Sequence, residues 1–442
     1  MLYAVCCTCI LLRVGCCWFL LLSLLLLVLN HTRLLLPSFP PPASPITRSS
    51  LLESSRCTSQ SVCLSQDPRD MSFTTVLRRA DVLAPLTGIG AFLVSRYQEQ
   101  SDCTSHASCE MQQGVSRATN RLVFLGSGSS TGCPRPLCPL VFQSSRGEET
   151  TEIQALRESL RERCVVSNLA SQGDPATNKN YRGNPSLVVA FQDANGRPKN
   201  VVIDVGKTFR EHALRWLPRR GIQSIDGVIL THEHADATFG LDELRGFQKF
   251  VGNPYSGAVP MPVFLSKHCL DDLRVRFPWL FPVPKPVSTT KPEVKRHTAT
   301  FAVSVFESFK PFAVEGLTVV PLPVMHGEDL VSYGFAFTVG TKNVVYLSDI
   351  SRMLPETLEF IHKQLPPIDI LVVDALLVDR PNPVHYNLEE AMELIKLLEP
   401  RQTFLVGMNC DAFPPHDKAN EMLDTISEGN VQLAYDGLEL IC

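Results

Sequence analysis

The sequence predicts an α/β fold: an αββα sandwich of two mixed sheets flanked by helices. Three observations point there. Short apolar runs of strand character dominate the chain from about residue 120 onward, and amphipathic helical segments alternate with them toward the C-terminal end. No self-similarity appears at the periods of solenoids. With 442 residues, 44% hydrophobic and 19% charged, the chain has the material for a sizeable core.

The organisation changes along the chain. Residues 1–35 read as a hydrophobic leader or anchor: "VGCCWFLLLSLLLLVL" at 14–29 carries no charge, with Arg13 before it and His31 and Arg33 after it. A full span takes about 20 apolar residues, so the run is short. A signal peptide, a signal anchor that contacts the membrane, or an organelle-import leader all fit it. A start at Met71, with the upstream stretch an artefact of gene prediction, is the other reading. Residues 36–118 begin proline-rich and continue in Ser, Thr, Arg and Gln without a sustained period; they read as mostly disordered. Within them "VLAPLTGIGAFLV" (82–94) reads as a weak helix, too short to span.

The main domain is expected over 119–442. "RLVFLGSGSSTG" is a short strand running into a glycine-rich turn. "NPSLVVAFQ" and "NVVIDVG" bracket "DANGRPK", whose Asn-Gly signals a hairpin. "TFREHALRWLPRRG" has helical spacing and stops at glycine. "IDGVILTHEH", "MPVFLS", "FAVSVFE", "GLTVVPLPVMH", "YGFAFTV" and "NVVYLSDI" read as strands. "LPETLEFIHKQ" reads as a helix, "IDILVVDAL" as a buried strand, "NLEEAMELIKLLEP" as a helix, "RQTFLVGMN" as a strand and "DKANEMLDTIS" as a helix.

Charge and cysteine usage narrow the function. A net charge of -4 gives no electrostatic case for wrapping nucleic acid, and the basic run "KPEVKRH" (291–297) is too small to supply one. Nine of the 15 cysteines precede residue 110. The other six are scattered, which fits a reduced, intracellular compartment for the main domain better than a disulfide framework.

Chemistry concentrates in "THEHADATFGLDELR". His232 and His234 lie two apart just beyond an apolar strand, and Asp236 continues the series. Imidazole and carboxylate in that spacing suit zinc, iron or manganese. The stretch resembles the His-X-His-X-Asp-His motif of the metallo-β-lactamase superfamily, and further motifs follow in the order that superfamily uses. "LGSGSSTG" resembles the opening of its PhnP-like cyclic phosphodiesterase branch. "VVIDVG" resembles its strand ending in Asp-X-Gly, with Asp204 bracing the metal loop. "PLPVMHGEDLVSYGFAF" offers His326 as third histidine, "NVVYLSDIS" offers Asp349 as bridging carboxylate, and "LAYDGLEL" resembles the closing strand.

The resemblance implies a metal-dependent hydrolase, a phosphodiesterase using metal-activated water on a small phosphodiester. Zn2+ is the expected ion, with Mn2+ or Fe2+ as alternatives. His232, His234, Asp236, His326 and Asp349 are the expected ligands; Asp236 also orients or deprotonates the water. His385, in "NPVHYNLEEAMELI", is the expected general acid. Two family ligands are missing: Ala237 stands where a histidine is expected, and Gly407 or Met408 where the late one would be. One firmly held metal is therefore expected and a second only weakly, with Asp242 or His416 as substitutes. Cys138, Cys164 and Cys410 match, in part, a structural zinc site of the branch; ordinary buried thiols are the other reading. The rival function is a non-catalytic binding or scaffold protein that kept the fold.

Overall fold

The structure is a computed structural model that describes residues 120–142, 150–252, 257–283 and 298–442. The leader at 1–35, the low-complexity stretch at 36–118 and the basic run at 291–297 lie outside the described residues. Among the described residues no helix is long and apolar enough to cross a membrane.

The described chain opens with β1 (Arg121–Gly126). Three short helices follow: α1 (Leu137–Phe142), α2 (Thr151–Arg163) and α3 (Val165–Ala170). They fall in a stretch whose sequence shows no clear apolar period. Then come β2 (Ser186–Gln192) and β3 (Pro198–Ile203), paired antiparallel from Leu187 with Ile203 to Gln192 with Pro198. Their connection is the expected Asn195-Gly196 turn, with Gly196 at φ +74° and Asp193 Oδ1 accepting from the backbone of Asn195 and Arg197. The half closes with α4 (Phe209–Trp216), β4 (Gly227–Ile229), α5 (Ala235–Thr238), β5 (Met261–Leu265), α6 (Lys267–Arg276) and β6 (Phe301–Val305).

The second half runs β7 (Phe312–Val314), β8 (Leu317–Met325), β9 (Val331–Val339), β10 (Lys342–Leu347), α7 (Pro355–Gln364), β11 (Ile370–Asp374), α8 (Leu388–Leu398), β12 (Gln402–Val406), α9 (His416–Ser427) and β13 (Val431–Leu433). Helix α8 starts on a full capping box between Asn387 and Glu390. The last strand, β14 (Glu439–Ile441), crosses back to pair with β1.

Two seven-stranded sheets result, in the orders β14-β1-β2-β3-β4-β5-β6 and β13-β12-β11-β10-β9-β8-β7. Both are mixed: β3 to β6 run parallel in the first, β10 to β13 in the second. Strand alternation explains the layering. Leu122 and Phe124, Val201 and Ile203, Val344 and Tyr346, Ile370 and Val372 all point between the sheets. Their neighbours face outward under helices: Val123, Leu125 and Val202 share a core with Phe209, Ala213 and Trp216 of α4. Val345, Leu371 and Val373 do the same with Ala391, Leu394 and Ile395 of α8. Strands buried on both faces have to be apolar at nearly every position, which is why they read as continuous runs rather than alternating ones. The fold is the αββα sandwich that the sequence predicts.

Candidate active site

The polar residues of the site follow directly on strand ends. Asp204 comes after β3, Thr231 and His232 after β4, His326 after β8 and Asp349 after β10, while Asp374 is the last residue of β11. Strand ends at one edge of a sheet open a crevice where ligands bind.

His232, His234 and His326 converge. Ring centroids are 4.6 Å apart for His232 and His234, 5.1 Å for His232 and His326, and 5.0 Å for His234 and His326. Each offers a nitrogen within 4.8 Å of the others. Neighbouring groups fix the rings. Thr231 donates its hydroxyl to Asp204 Oδ2 at 2.8 Å, so that hydroxyl accepts from His232 Nδ1, also at 2.8 Å. Asp204 Oδ1 further accepts from the Thr231 amide at 2.9 Å, and Asp204 itself is held at φ +61°, the backbone strain that functional sites tolerate. His326 Nδ1 is bonded to the carbonyl of Val384 at 2.6 Å. The outward nitrogens are therefore His232 Nε2, His234 Nδ1 and His326 Nε2.

This set fits a divalent metal. His232 Nε2 is buried with no hydrogen-bond partner, and a buried polar atom of that kind calls for a ligand. His234 Nδ1 and His326 Nε2 face each other at 3.2 Å, a contact that a shared cation resolves. Burial pushes His232 down to about 3, so it presents a neutral, metal-ready ring. His234 is exposed while the other two are buried, which gives the cluster one open side.

A second group joins His326, Asp349 and His385, whose ligand atoms also lie within 4.8 Å of one another. Burial alone would raise the Asp349 carboxyl; His232, His326 and His385 outweigh it and hold it at about 2. Asp349 does not cap a helix, because α7 begins at Pro355. His385 has a partner the sequence reading missed: its Nδ1 lies 2.6 Å from Oδ2 of the fully buried Asp374. Burial alone would lower His385, but the Asp374 carboxylate, helped by Asp349, raises it to about 9. Burial in turn lifts Asp374 to about 6. The available signal was positional, since Asp374 ends an apolar strand as Asp204 and Asp349 nearly do.

Asp236 is buried nearby, its carboxyl raised by burial and then by Asp349, but it belongs to neither group of converging ligand atoms. The substitutes considered for a second metal do not reach. Asp242 pairs with Arg245 at 3.9 Å, and His416 lies against Tyr435 and Asn420. Ala237 is buried, its carbonyl taking the Val205 amide at 2.8 Å. Gly407 stands at φ +81°, and a Cβ there would land on Asp374 Oδ1.

The cysteines form a separate cluster. Cys138, Cys164 and Cys410 are buried together, with Cys133 as a fourth member that the sequence reading left out. Cys138 and Cys164 have their sulfurs 3.0 Å apart. Cys133 and Cys410 pair through a hydrogen bond that raises Cys133 and lowers Cys410 to about 6. Arg182 is buried next to them with all three guanidinium nitrogens unpartnered, and Arg135 Nη2 reaches Cys164 Sγ at 3.9 Å and Asp411 at 3.2 Å. All six described cysteines are free thiols. On the other side of the glycine-rich turn, Asp436 of "YDG" accepts from Ser127 Oγ and the Gly183 amide and lies 3.1 Å from His212.

A β-lactamase superfamily domain matches residues 199–408. A diphosphatase from the PhnP family is 27% identical at a TM-score of 0.50, covering 73% of this chain and 97% of its own. The domain match and the PhnP-family neighbour together support a metallo-β-lactamase superfamily member with PhnP-like relatives. Zn(2+)-bound PqqB from Methylobacterium extorquens shares the fold at 16% identity and a TM-score of 0.50, over 72% of this chain and 99% of its own. An octanoyltransferase of Porphyromonas gingivalis is 27% identical over 324 residues, which is 73% of this chain. The chain spans about half (51%) the length of that relative. The domain match and the PhnP-family neighbour indicate metal-dependent hydrolase activity, and the fold implies a divalent ion.

Proposed function

We propose that the protein is a phosphodiesterase with zinc as its resident ion, one equivalent being held by His232, His234 and His326. The convergence of these three imidazoles on one point, with His232 Nε2 buried and unpartnered, carries the reading. Three nitrogen ligands with an open side suit catalytic zinc. Likeness to a PhnP-family diphosphatase favours a phosphoryl substrate over other esters.

When bound, the cation supplies Lewis acidity, which acidifies water and polarises a phosphoryl oxygen. The side chains supply the rest. Thr231 and Asp204 fix the His232 tautomer. Asp349 adds negative charge beside His326. Asp236 orients the attacking water and accepts its proton; a carboxyl raised by burial is the better base at neutral pH. His385, kept protonated by Asp374, gives the Nε2 proton to the leaving oxygen.

The thiol cluster is where a second, structural zinc would sit, its two sulfur pairs, Cys138 with Cys164 and Cys133 with Cys410, drawing together around the ion. Four thiolates around one divalent cation would leave two negative charges; Arg182 brings one unpaired positive charge to them, and Arg135 a second that it shares with Asp411. A buried guanidinium with no partner is otherwise hard to account for, because burying an unpaired charge is costly.

Metal analysis of the purified protein, with a metal-supplemented screen of phosphodiesters against thioesters and lactams, tests the reading. Bound zinc with phosphodiester turnover, both lost in His234→Ala, is the expected result. Bound zinc with thioester turnover alone would replace the substrate. Absence of metal at the histidines would leave the non-catalytic scaffold.

A further inference from the structure

A cavity of about 640 Å3 opens on the edge of the sandwich where β5 and β6 end. It is tied to the histidine cluster by hydrogen bonds. Tyr333 donates its amide to the Thr231 carbonyl at 3.1 Å, and Leu330 accepts from the His326 amide at 2.9 Å. His268 Nε2 lies 3.2 Å from Oε1 of Glu233, the residue between His232 and His234. The cavity walls are thus fastened to Thr231, to Glu233 and to the backbone of His326.

The lining has a definite chemistry. Phe306 and Tyr333 meet edge to face with centroids 5.0 Å apart, next to Leu330 and the half-exposed Val331. Among the described lining residues, Lys267 pairs with Asp271 and Glu307 with Lys310, His268 lies against Glu233, and Asp329 is a further carboxylate. None of these described residues offers a free cation for a second phosphate. Ser308 Oγ and the Tyr333 hydroxyl share one bond at 3.1 Å and keep further hydrogen-bonding capacity. A volume of this size suits a small-molecule group held by aromatic faces.

We infer that this cavity is a specificity subsite that takes one ester arm of the substrate, and that the arm is planar, apolar and uncharged. The inference rests on the phosphodiesterase reading and adds the identity of the arm. It does not involve the residues that hold metal or move protons.

Two substrates with the same leaving group test it: bis(p-nitrophenyl) phosphate and methyl p-nitrophenyl phosphate. Calorimetry of the metal-loaded protein with diphenyl and dimethyl phosphate reads binding apart from turnover. Aromatic occupancy predicts diphenyl phosphate binding about tenfold tighter than dimethyl phosphate, a typical gain for one well-placed ring. Tyr333→Ala should abolish the difference and raise KM wherever a ring fills the cavity, with kcat little changed. Val331→Trp, at an exposed position, should do the same by filling the space, and covers the case in which Tyr333→Ala fails to fold. Equal binding of the two diesters in the unmodified protein, or an unaltered preference in folded Val331→Trp, overturns the subsite. Absence of turnover with either nitrophenyl ester while diphenyl phosphate still binds preferentially would sink the phosphodiesterase reading and leave the subsite standing.

Discussion

The histidine cluster and the cysteine cluster are both gatherings of metal-type ligands, yet they are built in opposite ways. The histidines are braced from behind. Thr231 and Asp204 hold one ring, the Val384 carbonyl another, and one side opens to solvent through His234. The thiols are buried, bonded to one another in pairs, and flanked by the unpaired Arg182 and by Arg135, which Asp411 shares. Bracing with an open side suits a centre that exchanges substrate; full enclosure suits one that is only structural.

Four changes break or sharpen that contrast. The largest effect is expected from His234→Ala, which should remove the exchangeable metal and reduce phosphodiester turnover to background while the thiol-bound equivalent stays; metal analysis and a turnover assay on one preparation check both. Asp374→Asn comes next. It should lower kcat by about 10²- to 10⁴-fold, the usual worth of general acid catalysis, at unchanged metal content. A loss of metal in that variant would make the dyad part of the ligand shell instead. Thr231→Val should weaken metal affinity by about 10- to 100-fold, the usual cost of losing a group behind a ligand, readable in a competition titration with a chelator.

The smallest effect concerns the cysteine side. Burial, with Arg182 and Lys179 nearby, pushes His416 down to about 3, so it stays neutral in the folded protein. The unfolded chain takes up a proton on this residue below about 6.5. Stability contributed by the neutral ring is therefore present above that pH and is lost progressively toward 3. Between pH 7 and 5 the loss should be about 2 kcal/mol. Urea melts at both pH values check it, and His416→Gln should flatten the slope.

Much of this was legible in the sequence. The alternating strands and the hairpin at Asn195-Gly196 followed from local periodicity and turn chemistry, as did the capped helix at Asn387. The convergence of His232, His234 and His326 follows from motif order, since each sits just past an apolar strand. What escaped depends on how the backbone turns and on contacts between distant positions. Asp374 and His385, only 11 positions apart, meet because β11 ends beside the loop before α8. Cys133 joins Cys410 from 277 positions away, and Arg182 draws its meaning from where it is buried, which composition does not record. The helices over Leu137–Ala170 escaped because that stretch lacks a clear amphipathic period.

The crowding at Gly407 makes two chemistries alternatives at one spot. Position 407 and the carboxylate of Asp374 occupy the same space, and the backbone there is left-handed. A histidine at 407 and the acid that orients His385 therefore exclude each other in this backbone: either side chain can be kept, and the other has to move.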